Sequence, residues 1–529
     1  MVRGWEDFHW PCSSQAAALS AVLTFVVLYV TSRWVAYQRT LSRCGDIPGP
    51  RYLAYSFGWL SYRAHISPLT PPRNFNFHSK HSVYEKYGWD IMSVAFAWPK
   101  ARASYWIADA GAIKEINAAR SKFIKPVALY RVLRFYGGNI VASEGEDWIR
   151  HRRVAQPAFS DRNNKLVWNE TIRIVNEWIA SWGETENSDI DNIVDVTRKI
   201  ALFVIGSAGF GHSVSWSEDS DLNPGHRMTF RTALTIVCKD LFLKLIVPRW
   251  ASRFSQRYKN IFIAFDELKL YMEEMILDRQ ANAQSQVRND LFSNLILASH
   301  EETETKYKLS SEELMGDTFI FLLAGHETSA HTLAFAFALL ALHPEEQELL
   351  YEEIRSVMKD GKLPEYKDMA SLKRSTAVFY ETLRLFPPVN VIPKVCAEDT
   401  TLSISAAASS FSEAQQKNLP RRSVAMSEGA RVLIHIPGLH YNPRFWDEPE
   451  SFKPERFLRD WPRDAFLPFS GGPRACIGRR FFEAEGIATL SSIVSQFKIE
   501  VKEEAQFSGE TWEAKKTRIL ACKAGLTLT

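Results

Sequence analysis

The segment FSGGPRACIGRR, residues 469–480, sets a single cysteine, Cys476, among glycines and arginines, just ahead of a helical pattern, FFEAEGIATLSSIVSQF. A thiol that only packs in a core needs neither Gly472 and Gly478 around it nor guanidinium groups beside it. The glycines leave room for a rigid body to lie against the backbone, and the following helix presents amides that favour a thiolate. Arg474 can pair with an anionic group on that body, and Phe469 can cover the sulfur and exclude water. A second set of reactive types is AGHETS, residues 324–329, inside the apolar run IFLLAGHETSAHTLAFAFALL. A carboxylate, Glu327, beside an alcohol, Thr328, is costly on a buried helix unless the pair carries protons. The plainer alternative for Thr328 is a bond to the carbonyl one turn back.

The elements that must position these groups show in caps and stops. Ser310 with Glu313 makes a capping-box pattern and His343-Pro344 a stop, so one helix runs from about Ser311 to Leu342. At 1.5 Å per residue this is a rod of about 48 Å, long enough to cross a domain. ETLR places Glu381 and Arg384 three apart on a helix ended by FPP at 386–388. Alone, such a pair is a solvated contact worth about 0 to 1 kcal/mol. WIRHRR, 148–153, puts a tryptophan and basic residues on one helix. Helical patterns dominate from 148 to 500, with short β-like runs such as RVLIHIP, 431–437, between them. TLSISAAASSFSEAQQKNLPRRS, 401–423, is rich in Ser, Ala and Gln and reads as a surface insertion.

Composition narrows the function classes. With 46% apolar and 24% charged residues, the 529-residue chain has material for a large core. A net charge of +3 lacks the basic excess of a nucleic-acid binder. The six cysteines have no CxxC spacing, which argues against zinc and against a secreted disulfide framework. QAAALSAVLTFVVLYVTS, 15–32, is uncharged and approaches the roughly 20 residues needed to cross a bilayer. Trp10, Trp34 and Tyr37 suit its two interfaces. Glu6 and Asp7 spoil a basic leader, so a retained anchor is favoured over a cleaved signal. Arg33, Arg39, Arg43 and Arg51 follow the span and put the rest of the chain in the cytosol, which in a eukaryote means the cytosolic face of the endoplasmic reticulum. DIPGPR, 46–51, is a stiff turn that separates an anchor, 1–45, from a body, 46–529.

FSGGPRACIG resembles the haem-binding loop of the cytochrome P450 family, F-x-x-G-x-R-x-C-x-G, at each fixed position: Phe469, Gly472, Arg474, Cys476 and Gly478. The resemblance implies a mainly α fold with small β-sheets, preceded here by one N-terminal transmembrane helix. It implies haem b (iron protoporphyrin IX) as cofactor, with Cys476 the thiolate ligand of the iron and Arg474 paired with a propionate. A thiolate pushes electron density onto iron and favours O–O cleavage. Glu381 and Arg384, joined by Arg456 of PERF (454–457), then form a buried structural network. Glu327 and Thr328 match the family's acid and alcohol for proton delivery, while Ala324 and Gly325 are small enough to admit oxygen and substrate; His326 is a filler position. WIRHRR matches W-x-x-x-R and implies Trp148 and Arg152 as propionate partners. Lys394 is a departure: the family commonly has arginine there, and lysine keeps the charge but loses the planar fork.

The implied activity is a monooxygenase, inserting one oxygen atom of O2 into a lipophilic small molecule with electrons from an NADPH-cytochrome P450 reductase. Arg479 and Arg480 are candidates for contact with an acidic reductase or with propionate, or are a solvated basic face. By position in the family, residues 126–138, 240–250, Val389, Val391 and Ile392 line the pocket or its entrance. Their apolar character suits a terpenoid, steroid or fatty acid. LFLKLIVPRW, 241–250, could instead dip into membrane lipid. A haem-thiolate isomerase or dehydratase would share Cys476 but not need Glu327 and Thr328, and a haem sensor would show no turnover.

Overall fold

The long buried helix starts where its capping box closes: Ser310 Oγ accepts from the Glu313 amide at 3.2 Å, and the Glu313 carboxylate accepts from the Ser310 amide at 2.9 Å. It runs Ser311–Leu342, as the caps predict. The computed structural model describes residues 12–54, 69–72, 74–183, 187–211, 216, 222, 224–282, 290–301, 307–358, 361–407, 419–523 and 527–528. Its helices of eight residues or more are α1 (Cys12–Arg43), α2 (Ala110–Ala118), α3 (Gly145–Ala155), α4 (Asp161–Ala180), α5 (Ile193–Val204), α6 (Phe230–Ile246), α7 (Gln256–Asn282), α8 (Leu291–Glu301), α9 (Ser311–Leu342), α10 (Pro344–Val357), α11 (Lys373–Leu385), α12 (Arg479–Val494) and α13 (Trp512–Ile519). Helix α9 packs on α5 and α12 packs on α4, so the centre of the protein is helical. The loop at Gly137 and Gly138 crosses α9 at Gly316, where any side chain would strike the Gly138 carbonyl. Only glycine permits that approach.

The strands are β1 (Arg51–Ala54), β2 (Ile91–Trp98), β3 (Arg102–Ile107), β4 (Phe123–Ile124), β5 (Val391–Cys396), β6 (Thr400–Ser405), β7 (Arg421–Met426) and β8 (Arg431–His435). One sheet has the order β1-β2-β3-β8-β5-β4. In it β8 lies parallel to β3 and antiparallel to β5, with Lys394 opposite Val432. Strands β6 and β7 form a separate antiparallel pair, Ser403 opposite Ser423. The two ends of the 401–423 segment, read as a surface insertion, pair as antiparallel strands; 408–418 lie outside the described residues.

Residues 17–43 of α1 are long and apolar enough to span a membrane, and 17–32 stand exposed, while Arg33, Ala36, Tyr37 and Thr40 are partly covered. The end of α1 is docked. Tyr105 donates to the Arg43 carbonyl at 3.0 Å, Cys44 and Ile47 are buried, and the Ser93 amide donates to Pro48 O at 2.8 Å. The stiff turn at 46–51 thus bonds along β2. Its prolines cannot donate to the ladder, but their carbonyls accept from it.

Candidate active site

Helix α3 is held on the start of α9 by charge. Arg150 forks onto Glu313 at 2.7 and 2.6 Å, and buried His151 meets Asp317 at 2.6 Å. This brings Trp148 under the cysteine loop, with the Arg474 guanidinium 4.5 Å from its ring centroid. Arg152, one turn on, donates to the Ala475 carbonyl at 3.1 Å and so lies against the loop itself. Arg474 donates to Ser143 O and pairs with Glu144, each at 2.9 Å, but its Nε is sealed with no partner among the described residues.

Two lysines gather at the same arginine. Lys125 gives its amide to Glu144 at 2.8 Å and holds its Nζ 3.9 Å from the Tyr130 ring centroid. Burial, then Arg474, then Lys394, push its ammonium down to about 7. Burial and Arg474 likewise lower Lys394. Three inward cations therefore share one carboxylate, Glu144, itself held low by the Lys125 amide and Arg474 against the cost of burial. A group carrying two carboxylates would neutralise the remainder. Lys125 and Glu144 escaped the sequence reading. Lys-Pro ahead of a stiff turn is a weak local signal, and nothing local says that 394 and 474 are its neighbours.

The cysteine loop is closed by the Cys476 amide donating to Phe469 O at 2.8 Å, and the Phe469 ring packs at 5.7 Å on Phe482. Gly472 has φ +67°, and a Cβ there would sit 2.5 Å from Asn117 O. Gly478 caps the start of α12 and sends its amide to the sulfur. Burial pushes the thiol up; the Gly478 amide, then Arg152 and Arg479, pull it down. Yet Cys476 has open surface. A group set deep in protein with open surface borders an internal space. Helix α9 shows the same combination: Ala324 is exposed and Gly325 and Thr328 are partly so, while 316–323 and 329–337 are buried. A rigid, flat, dianionic group with a thiolate-binding centre fits the residues present.

Thr328 Oγ1 does bond the Ala324 carbonyl, at 2.6 Å. Glu327 is buried, with Oε2 unpartnered among the described residues, and burial raises its carboxyl to about 7 against the pull of Arg198. His326 is buried with neither ring nitrogen bonded among the described residues, and burial, then Arg198 and His331, lower it to about 3. Glu381 and Arg384 are fully buried: Arg384 Nε meets Glu381 Oε2 at 2.7 Å, and Arg456 Nε meets Oε1 at 3.3 Å. Arg384 also donates to the carbonyls of His440, Pro449 and Ser451. His440 in turn accepts from the Leu467 amide, which leads into the cysteine loop.

Of the expected pocket segments, Val389 is exposed and Val391 and Ile392 partly so at the start of β5. Leu133 and Tyr136 are buried. In 240–250 only Asp240 and Leu241 are buried, whereas Phe242, Leu245, Ile246 and Trp250 are exposed. Arg479 and Arg480 point outward and bond Glu483 at 2.7 and 3.2 Å.

A helical fold with an open thiol loop, an acid–alcohol pair and a cation cluster fits a haem-thiolate protein. The cytochrome P450 profile matches residues 72–403 and 416–515. Cytochrome P450 monooxygenase 124 of Postia placenta (strain ATCC 44394 / Madison 698-R) is 50% identical over 455 residues, covering 85% of this chain and 86% of that protein. The cyclooctat-9-en-7-ol 5-monooxygenase of Streptomyces melanosporofaciens is 28% identical over 372 residues, covering 69% and 73%. The solved haem domain of cytochrome P450DA shares the fold, with TM-score 0.69, 21% identity and coverage of 91% and 95%. The chain belongs to the cytochrome P450 family. It is an oxidoreductase, a haem-thiolate monooxygenase that uses haem b, O2, a small-molecule substrate and a redox partner.

Proposed function

We propose that Cys476 is the haem thiolate ligand and that Arg474, Lys125 and Lys394 hold the propionates, flanked by Trp148 and Arg152. The bound haem supplies reductive activation of O2 and transfer of one oxygen atom to a C–H bond, the other leaving as water. The residues supply the rest. The Gly478 amide and the guanidinium groups favour negative charge on the Cys476 sulfur, and Phe469 screens it from water. Glu327, near half-protonated at neutral pH, holds a proton beside Thr328, whose hydroxyl relays it toward the open face of α9. Ala324 and Gly325 leave that face clear for oxygen and substrate.

The observation that carries this reading is the loop: a deep thiol with open surface beside three cations that share one carboxylate. Replacing Cys476 by alanine in the full-length protein should abolish the reduced carbon monoxide band. An unchanged band would overturn the assignment.

The substrate is lipophilic, of terpenoid, steroid or fatty-acid type. The open aliphatic side chains Val389, Val391 and Ile392 support this, as does a relative named for cyclooctat-9-en-7-ol. Spectral shifts with only polar, charged compounds would contradict it. Electrons come from an NADPH-dependent reductase that docks on the outward Arg479 and Arg480. Residues 1–45 anchor the catalytic body, 46–529, to the cytosolic face of the endoplasmic reticulum. Exposed Leu245, Ile246, Trp250 and Phe254, bordered by Arg249 and Arg253, touch the same bilayer.

A further inference from the structure

Ser329 follows Thr328 on α9 and is buried. Its Oγ donates to Glu485 Oε2 at 2.6 Å, and Glu485 stands on the second turn of α12, the helix that leaves the cysteine loop. Glu485 is 1% exposed, and its Oε1 is sealed with no partner among the described residues. Burial pushes the carboxyl up to about 8, opposed only by the Ser329 bond. Helices α4, α9, α10 and α11 pack against α12, and none of their charged groups moves this proton. At neutral pH the group is a neutral acid bridging two helices.

Such a pair is a weak stabiliser. A buried polar atom left without a partner is costly, and an apolar pair of similar volume avoids that cost. What a buried polar link supplies is register. Helix α9 lacks packing where Ala324, Gly325 and Thr328 border open space. Gly325 has no side chain, and a Cβ there would meet Ile205 at 3.2 Å. The turn bearing Glu327 and Thr328 is therefore restrained mainly from behind, where Ser329 sits.

The geometry points to the Ser329–Glu485 bond as a positioning latch. It fixes the rotation of the Glu327–Thr328 turn relative to the helix that carries the cysteine loop. Glu485 touches neither substrate nor cofactor and acts through Ser329 and the helix. The inference rests on the proposed role of Thr328.

The test uses full-length, haem-loaded Ser329→Ala, Glu485→Ala, Glu485→Gln and the Ala double variant. Hydrogen exchange of peptides covering 320–332 should rise in both alanine variants and in the double to the same extent. It should stay low in Glu485→Gln, whose amide oxygen still accepts from Ser329. Peroxide released per NADPH consumed should rise several-fold in step with exchange. Unchanged exchange in Ser329→Ala overturns the latch, as do effects of the two alanine changes that multiply. Should Glu485→Ala fail to load haem, Ser329→Ala and the low exchange of Glu485→Gln decide. Thr328→Ala separates the two readings: if it leaves coupling intact, the relay fails, whereas if it uncouples while Ser329→Ala does not, only the latch fails.

Discussion

Replacing Lys125 by methionine keeps the stem of the side chain and removes its charge. If Lys125 holds a propionate, the variant loses a hydrogen bond to a charged group, worth about 1.5–3 kcal/mol. At 1.4 kcal/mol per tenfold, ferric haem should leave about 10- to 100-fold faster. The pH dependence gives a second, independent readout. Without a bound anion the Lys125 ammonium is pushed down to about 7 by burial, Arg474 and Lys394. A lysine with a lowered value is charged below it and neutral above it, so binding a dianion takes up a proton from about pH 7 upward. Haem retention by the wild type should therefore weaken as pH rises through that window. Lys125→Met should show no such slope, and Lys125→Arg should hold haem without one, because guanidinium does not titrate there. Transfer of haem to excess apomyoglobin, followed in the Soret region across pH, measures both effects. Wild-type transfer rates in Lys125→Met, or a slope that persists in Lys125→Arg, would refute the assignment.

Gly472→Ala places a Cβ 2.5 Å from Asn117 O at a φ of +67°, so the loop must open and haem loading should fall, read from the reduced carbon monoxide band. Arg384→Ala removes the bidentate partner of the Glu381 carboxylate in a dry site and leaves it only Arg456 and the Lys453 amide, at a cost of roughly 3–5 kcal/mol, against a total stability of about 5–15. Soluble haem-loaded protein should be lost on purification, while Arg456→Lys, at the more open edge of the network, should be milder. Glu327→Gln tests proton supply: burial raises the carboxyl to about 7, so it is protonated below and ionised above. Product formed per NADPH should fall in the wild type as pH rises through 7 and be level in the variant; matching profiles would rule out Glu327 as the source.

Much of the site was legible because it is local. The bounds of α9 follow from a capping box and a proline stop, which act within a few residues of the chain. The cysteine loop is legible for the same reason: Gly472, Arg474 and Gly478 act on Cys476 within one turn of backbone. The pairing of Glu381 with Arg384 needs only a helix, but its burial and the arrival of Arg456 need α11 packed under the loop.

The charge cluster is another matter. Lys125, Lys394 and Arg474 come from a strand end, a second strand and a loop far apart in the chain, and only the sheet pairing of β4 with β5 and the position of the cysteine loop bring them to one carboxylate. The Ser329–Glu485 bond likewise exists only where α9 meets α12. By itself the sequence determined the motif of the cysteine loop, the bounds of the long buried helix and the apolar N-terminal helix, since periodicity, caps and short motifs act over single turns. Tertiary structure decided which charges share an interior, because desolvation and Coulomb terms depend on distances that only packing sets.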